Sequence, residues 1–211
     1  MKTAQLGFWT GAFGKEYTER RAFTNEQLQE FHLKTWGITC RDLFKEFFGD
    51  NKIDNILEVG CNIGNKLNCL QAMGYYELYG IEVQKDAVER SKAHTKGINI
   101  IHGSGFDIPY KDGFFDLVFT CGVLIHINPK NIATVMQEIS RVSKCYIFGF
   151  EYFAEEYTEI LYRGHQNALW KTDFAKLYID TVPGLKLLKE KKYPYLTEDN
   201  IDQAYLIEKQ S

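Results

Sequence analysis

The passage Leu57-Glu58-Val59-Gly60-Cys61-Asn62-Ile63-Gly64 constrains this chain more than any other. An apolar run enters a glycine-containing turn, and helical spacing (Leu67, Leu70, Met73) follows until Gly74. A short apolar run bounded this way reads as a strand buried on both faces, as in parallel sheets. The alternation then repeats. Strands are expected at 77–83, 98–102, 115–121 and 145–150, with helices at 86–94 and 131–142. Such a series builds βαβ units and a doubly wound α/β sheet. Right-handed crossovers place the carboxyl ends of its strands on one rim, where ligands bind.

Both flanks differ from this middle. Apolar positions Leu28, Phe31, Trp36, Leu43, Phe44, Phe47 and Phe48 give the first 50 residues a helical pattern. Beyond a helix expected at 171–179 and the Pro183-Gly184 turn, strands at 185–193 and 202–208 are joined too briefly for a crossover, so they read as an antiparallel pair. A chain of 211 residues suits one domain. Its parts would be a cap or lid (1–50), a cofactor-binding core (51–151), an acceptor-pocket insertion with a helix (152–180) and the strand pair (185–208).

Composition removes several function classes. A balance of 25 Lys and Arg against 28 Asp and Glu argues against a nucleic-acid footprint, which needs a strongly basic face. Five cysteines without a CxxC pair argue against a disulfide framework or a metal site. Residues 1–9 lack a basic region followed by an apolar run, and no apolar stretch reaches membrane-spanning length. A cytoplasmic protein with a small-molecule partner, and neither nucleic acid nor membrane, is expected; its oligomeric state is left open.

Two cofactor classes use a glycine turn between a first strand and helix. A dinucleotide fingerprint needs glycine at its first, third and sixth positions. Counting from Gly60, the later two are Asn62 and Asn65, so that test fails. The methyltransferase version has an acid and then glycine at every second position. Glu58, Gly60 and Gly64 fit it, with Asn62, the best substitute for glycine at positive φ, in the middle. Glu82 ends the second strand 22 residues after Gly60, where a carboxylate can accept both ribose hydroxyls of an adenosine group.

The stretch from Leu57 to Phe150 resembles class I S-adenosylmethionine-dependent methyltransferases. The string Gly103-Ser104-Gly105-Phe106-Asp107-Ile108-Pro109-Tyr110, followed by Phe114-Phe115-Asp116-Leu117-Val118, carries the likeness. Many relatives have an Asp on the adenine amino group where Ser104 stands, so Ser104 or a backbone carbonyl would substitute. The resemblance implies a Rossmann-like seven-stranded sheet, mostly parallel with an antiparallel last strand, here under an N-terminal helical cap. It implies S-adenosyl-L-methionine as cofactor and S-adenosylhomocysteine as product. Val83, Ser104, Gly105, Phe106 and Cys121 would line the cofactor site.

Longer strings narrow the likeness. Phe8-Trp9-Thr10-Gly11-Ala12-Phe13-Gly14, Gly122-Val123-Leu124-Ile125-His126-Ile127-Asn128-Pro129 and Tyr162-Arg163-Gly164-His165 together resemble the methylases associated with pseudaminic acid biosynthesis. That implies a sugar or sugar-nucleotide acceptor from surface-glycan biosynthesis. N-methylation of an amino acid, peptide end or amine metabolite is the second enzymatic reading. A cofactor-sensing or partner-activating subunit is the reading without catalysis.

Methyl transfer is an in-line displacement, so alignment dominates, and a base is needed where the acceptor carries a proton. His126, just past the fourth strand, is the leading candidate, and Glu151, ending the fifth, is the next. Arg163 and Lys171 would suit an anionic acceptor, with Tyr152, Tyr162 and His165 beside them. The rings of Trp9, Phe13 and Tyr17 either pack the cap onto the sheet or form a lid that excludes water; in the lid reading Trp9, Thr10 and Tyr17 are expected over the cofactor, with Phe13 at the acceptor. Residues 1–50 and 146–178 each hold 10 of the 31 aromatics, which marks these two segments as the walls of an acceptor pocket.

Overall fold

A computed structural model describes residues 4–48 and 51–210. Residues 1–3, 49–50 and 211 fall outside that description, and with them the start of the expected cap and its boundary with the core. Four helices come first: α1 (Ala4–Thr10), α2 (Ala12–Arg20), α3 (Asn25–Trp36) and α4 (Cys40–Phe48). Helix α3 starts where Thr24 and Gln27 form a reciprocal capping box, and it ends where Gly37 turns left-handed at φ 71°. Helix α4 buries Leu43, Phe44, Phe47 and Phe48 against the sheet. Each such side chain contributes roughly 1.5–3 kcal/mol, which anchors this end of the cap.

The core alternates as its sequence demands: β1 (Asn55–Val59), α5 (Asn65–Ala72), β2 (Glu77–Glu82), α6 (Lys85–His94), β3 (Asn99–His102), β4 (Phe115–Cys121), α7 (Ile132–Val142) and β5 (Ser143–Tyr152). Two short strands, β6 (Thr158–Glu159) and β7 (Trp170–Lys171), pair with each other, and α8 (Phe174–Thr181), β8 (Leu185–Pro194) and β9 (Ile201–Lys209) follow. The main sheet has the order β3-β2-β1-β4-β5-β9-β8. Strands β1 to β5 are parallel, while β9 runs antiparallel to both β5 and β8.

The sheet is apolar on both faces. Helices α3, α4 and α5 cover one with Leu28, Phe44, Phe48 and Leu67, and α7 and α8 cover the other with Val135, Met136, Ile139 and Phe174. Gly149 on β5 admits the ring of Tyr205 from β9, since a Cβ there would lie 2.0 Å from Tyr205 Cζ. The helix expected at 171–179 begins three residues later. Asp173 accepts the backbone N–H of Lys176 at 2.9 Å and so caps α8, which leaves Lys171 in β7. Among the described residues, no helix is long and apolar enough to cross a membrane.

Candidate active site

The turn from β1 into α5 is left-handed at alternate residues: Gly60 (φ 74°), Asn62 (φ 51°) and Gly64 (φ 88°). A Cβ at Gly60 would lie 2.6 Å from Val123 Cγ2, so both conformation and space demand glycine there. Asn62 does what a glycine could not. Its Oδ1 accepts the N–H of Ile63 at 2.9 Å, and its Nδ2 donates to Thr18 Oγ1 of α2 at 2.9 Å. The residue that departs from the glycine pattern therefore ties the cap to the turn. Asn65 adds a second tie by donating to the carbonyl of Arg21 at 2.6 Å.

Glu82 closes the turn from the neighbouring strand. Its carboxylate accepts the N–H groups of Asn62 and Gln84, each at 2.8 Å. Burial raises its pKa, and those backbone donors oppose the rise. A carboxylate has about four acceptor positions, so acceptor capacity remains even with Val83 as a third backbone donor. Glu58 is buried below the turn, with Oε2 unpartnered among the described residues. Burial pushes its carboxyl up to about 8, with Lys66 opposing and Glu82 reinforcing the shift. Lys66, in the first turn of α5, has no salt-bridge partner among the described residues. Burial works against its cation, yet Cys121 and Glu58 hold its pKa above the usual value.

These groups border a cleft of about 270 Å³ along the carboxyl ends of the strands. Gly60, Asn62, Glu82, Val83 and the segment 103–106 form one end. The loop just beyond that segment is braced from α7, where Arg141 donates to the carbonyls of Ile108 and Tyr110 and pairs with Glu138 and Asp112. Ser104 Oγ accepts the N–H of Phe106 at 3.2 Å. Cys121, Trp9, Tyr17, His126, Tyr152 and Tyr162 continue the wall, and Trp36, Tyr195 and Asp202 extend it beyond β5.

His126 sits in a short 3₁₀ turn, Leu124–His126, and is buried. Its Nδ1 lies 2.7 Å from the carbonyl of Ala168. A carbonyl only accepts, so the proton is on Nδ1 and Nε2 carries the free lone pair. The ring packs 4.5 Å from Trp9 and 5.2 Å from Tyr162, so both aromatic-rich segments converge on it. Burial pushes its pKa down to about 4, against the bond to Ala168, and the imidazole is neutral at pH 7.

Glu151 plays a different part from the one its position suggests. It is wholly buried and absent from the cleft wall, and its Oε2 accepts the N–H of Val123 at 2.9 Å. It holds up the loop that carries His126, and burial raises its pKa to about 7. Several other expected contacts also lie off the wall. Thr10 donates to its own helix at Leu6, and Gly64 packs behind the turn toward Ile100 and Thr95. Phe13 and His165 form an outer cluster with Phe8. Arg163 occupies an exposed turn at φ 49°, and Lys171 donates to Asn200. Sequence reasoning missed Lys66, Trp36, Tyr195 and Asp202. Of these, only Lys66 carried a local signal, its place in the first turn after the glycines.

Comparison with known proteins follows the same outline. Residues 57–145 match the family described as Methyltransferase domain. The mitochondrial tRNA N(3)-cytidine methyltransferase METTL8 of Mus musculus is 35% identical over 95 residues, which cover 39% of this chain and 34% of that protein. Ajmaline N-methyltransferase of Rauvolfia serpentina is 32% identical over 110 residues, 47% of this chain and 36% of that protein. The chain thus spans about a third of the length of these curated relatives. A SAM-dependent methyltransferase of Leishmania major superposes with TM-score 0.73 at 16% identity, over 98% of this chain and 87% of that one. The fold is that of the class I S-adenosylmethionine-dependent methyltransferases.

Proposed function

We propose that this chain is an S-adenosylmethionine-dependent methyltransferase acting on a small polar acceptor. One observation carries the reading. The left-handed Gly60–Asn62–Gly64 turn, held by Glu82, opens into the same cleft as the free Nε2 of His126.

The residues present fit the cofactor. Glu58 Oε2 is buried without a partner and Lys66 is unpaired among the described residues, which together suit the ammonium and carboxylate of an amino-acid tail. Glu82 would accept from the ribose hydroxyls, and Val83 with Ser104, Gly105 and Phe106 would line the adenine. S-adenosylmethionine supplies an electrophilic methyl group on a sulfonium. The chain's own residues do the rest. Trp9 and Tyr17 cover the cleft and exclude water, His126 Nε2 takes the acceptor's proton, and Glu151 holds the His126 loop in place. Alignment of this kind can supply roughly 7–11 kcal/mol, and a positioned base adds about 10²–10⁴-fold.

The strings near the start, after β4 and around Tyr162 support a sugar or sugar-nucleotide acceptor, and an amine metabolite is the second reading. The test is calorimetry with S-adenosylhomocysteine, followed by transfer of labelled methyl from S-adenosylmethionine into fractionated small-molecule extracts. Micromolar binding and a labelled product are expected; a chain that binds no S-adenosylhomocysteine refutes the proposal. Binding without any transfer would favour a cofactor-sensing subunit.

A further inference from the structure

One buried carboxylate of the cleft is assigned neither to the cofactor nor to the backbone. Asp202 stands at the start of β9, opposite Tyr152 on β5, and is 3% exposed. Tyr195 donates to its Oδ2 at 3.3 Å, but Oδ1 has no partner among the described residues. The indole Nε1 of Trp36 is a donor close enough to lower the pKa of this carboxyl, yet the two stop short of hydrogen-bond distance, and Nε1 has no other partner among the described residues. Both residues line the cleft. Strand β9 lies three strand spacings from β1 in the sheet order, roughly 14 Å at about 4.8 Å each, so Asp202 is well removed from the cofactor turn.

Aromatic rings surround this oxygen. Trp36 stands edge-on to Tyr195 with centroids 5.2 Å apart, and 5.0 Å from Phe150. Tyr152 lies 6.1 Å from Tyr195. The Lys171 ammonium already sits 5.3 Å from the Tyr152 centroid, so one ring of the group holds a cation now. Lys171 is taken up by Asn200 and does not line the cleft; its charge reaches Asp202, but the two form no ion pair, so the Oδ1 side can still take a guest.

We infer that the acceptor carries a protonated amine, which docks on Asp202 between Trp36, Tyr152 and Tyr195. The inference rests on the methyltransferase reading and names the chemistry of its acceptor. Burial, with Glu151 nearby, pushes the Asp202 carboxyl up to about 8, so it is largely protonated at pH 7 until a cation arrives. An ammonium brings three donors and a charge that hold it ionised, and the surrounding rings attract a cation. A hydroxyl in the same place brings one donor and no charge. Asp202 then acts in recognition, on the side of the cleft beneath α3, while His126 faces the acceptor from the loop after β4.

The experiment uses two probes of nearly equal shape, benzylamine and benzyl alcohol, in ligand-observed NMR with the chain saturated with S-adenosylhomocysteine. Benzylamine should bind at least about tenfold more tightly than the alcohol, and Asp202→Asn should erase that preference. The same variant should bind S-adenosylhomocysteine within about threefold of the unaltered chain by calorimetry. Equal binding of the two probes overturns the inference, and this comparison needs no variant. So does an amine preference that survives Asp202→Asn, or a loss of more than tenfold in S-adenosylhomocysteine affinity, which would assign the carboxylate to the cofactor. Failure of the unaltered chain to bind S-adenosylhomocysteine is a separate result, and it refutes the methyltransferase reading itself.

Discussion

Replacing Glu82 by glutamine separates two jobs that this carboxylate performs. Its two oxygens accept backbone N–H groups from Asn62 and Gln84, both at 2.8 Å, the first bond half-buried and the second buried. An amide keeps one acceptor oxygen and presents an NH₂ in place of the other. Whichever way it turns, one backbone N–H loses its partner and meets a donor. Leaving such a group unsatisfied costs about 1–3 kcal/mol. For a domain of this size each kcal/mol shifts Tm by roughly 2–4 °C, so Glu82→Gln should melt about 2–12 °C lower. Ribose hydroxyls bonded to an ionised carboxylate are worth about 1.5–3 kcal/mol each, so S-adenosylhomocysteine should bind roughly 10–100-fold more weakly. Thermal unfolding and calorimetry on the same preparation read both effects. A variant with unchanged melting and affinity within threefold would show that Glu82 neither shapes the turn nor meets the cofactor.

His126→Gln should leave S-adenosylhomocysteine binding within about threefold and slow turnover by roughly 10²–10⁴; undiminished turnover rejects His126 as the base. Because burial holds that imidazole near 4, the pH profile of kcat/KM in the unaltered chain should show no inflection near 6.5 from this group. Gly149→Ala forces a Cβ to within 2.0 Å of the buried Tyr205 ring and should cost about 3 kcal/mol in urea unfolding, and a neutral effect would mean that β5 and β9 are packed differently. His32, with Nδ1 unpartnered and its pKa pushed to about 3 by burial, binds a proton in the unfolded chain near 6.5 but not in the fold. Stability therefore falls as pH drops through that range. Between pH 7.5 and 5.0 the unaltered chain should lose about 2 kcal/mol more than His32→Phe, and parallel curves would refute the assignment.

Local patterns made the parallel half of the fold legible. Apolar runs marked β1, β2 and β4 within a residue or so, with a glycine just after β1 and β4, because a strand buried on both faces leaves little choice of residue. The turn was read correctly in spite of Asn62, since the backbone needs positive φ there and asparagine tolerates it. What the sequence hid were pairings between distant segments. Glu151 reads as an acid at a strand end, and only the return of the 122–125 loop over it makes it a backbone acceptor. Lys171 reads as the start of a helix until Asp173 supplies the cap. Asp202 and Trp36 lie 166 positions apart in the chain and carry no common pattern, yet α3 and β9 bring both to one cleft. Both aromatic-rich segments contribute rings to the cleft, Trp9 and Trp36 from one and Tyr152 and Tyr162 from the other, while Phe13 and His165 lie in an outer cluster.

The sheet order has a consequence for how the chain comes together. Strand β9 follows β8 in the chain but sits inside it, between β8 and β5. During synthesis from the N-terminus, β1 through β5 can assemble while β5 still presents an unpaired edge of apolar residues such as Ile147 and Phe148. That edge finds its partner only when 201–209 has emerged, and β8 must stand aside until then. Long-range pairings of this type are slow, and an open apolar edge is a template for pairing with another chain. The interval before β9 inserts is thus the stage of biosynthesis at which this protein is most exposed to aggregation.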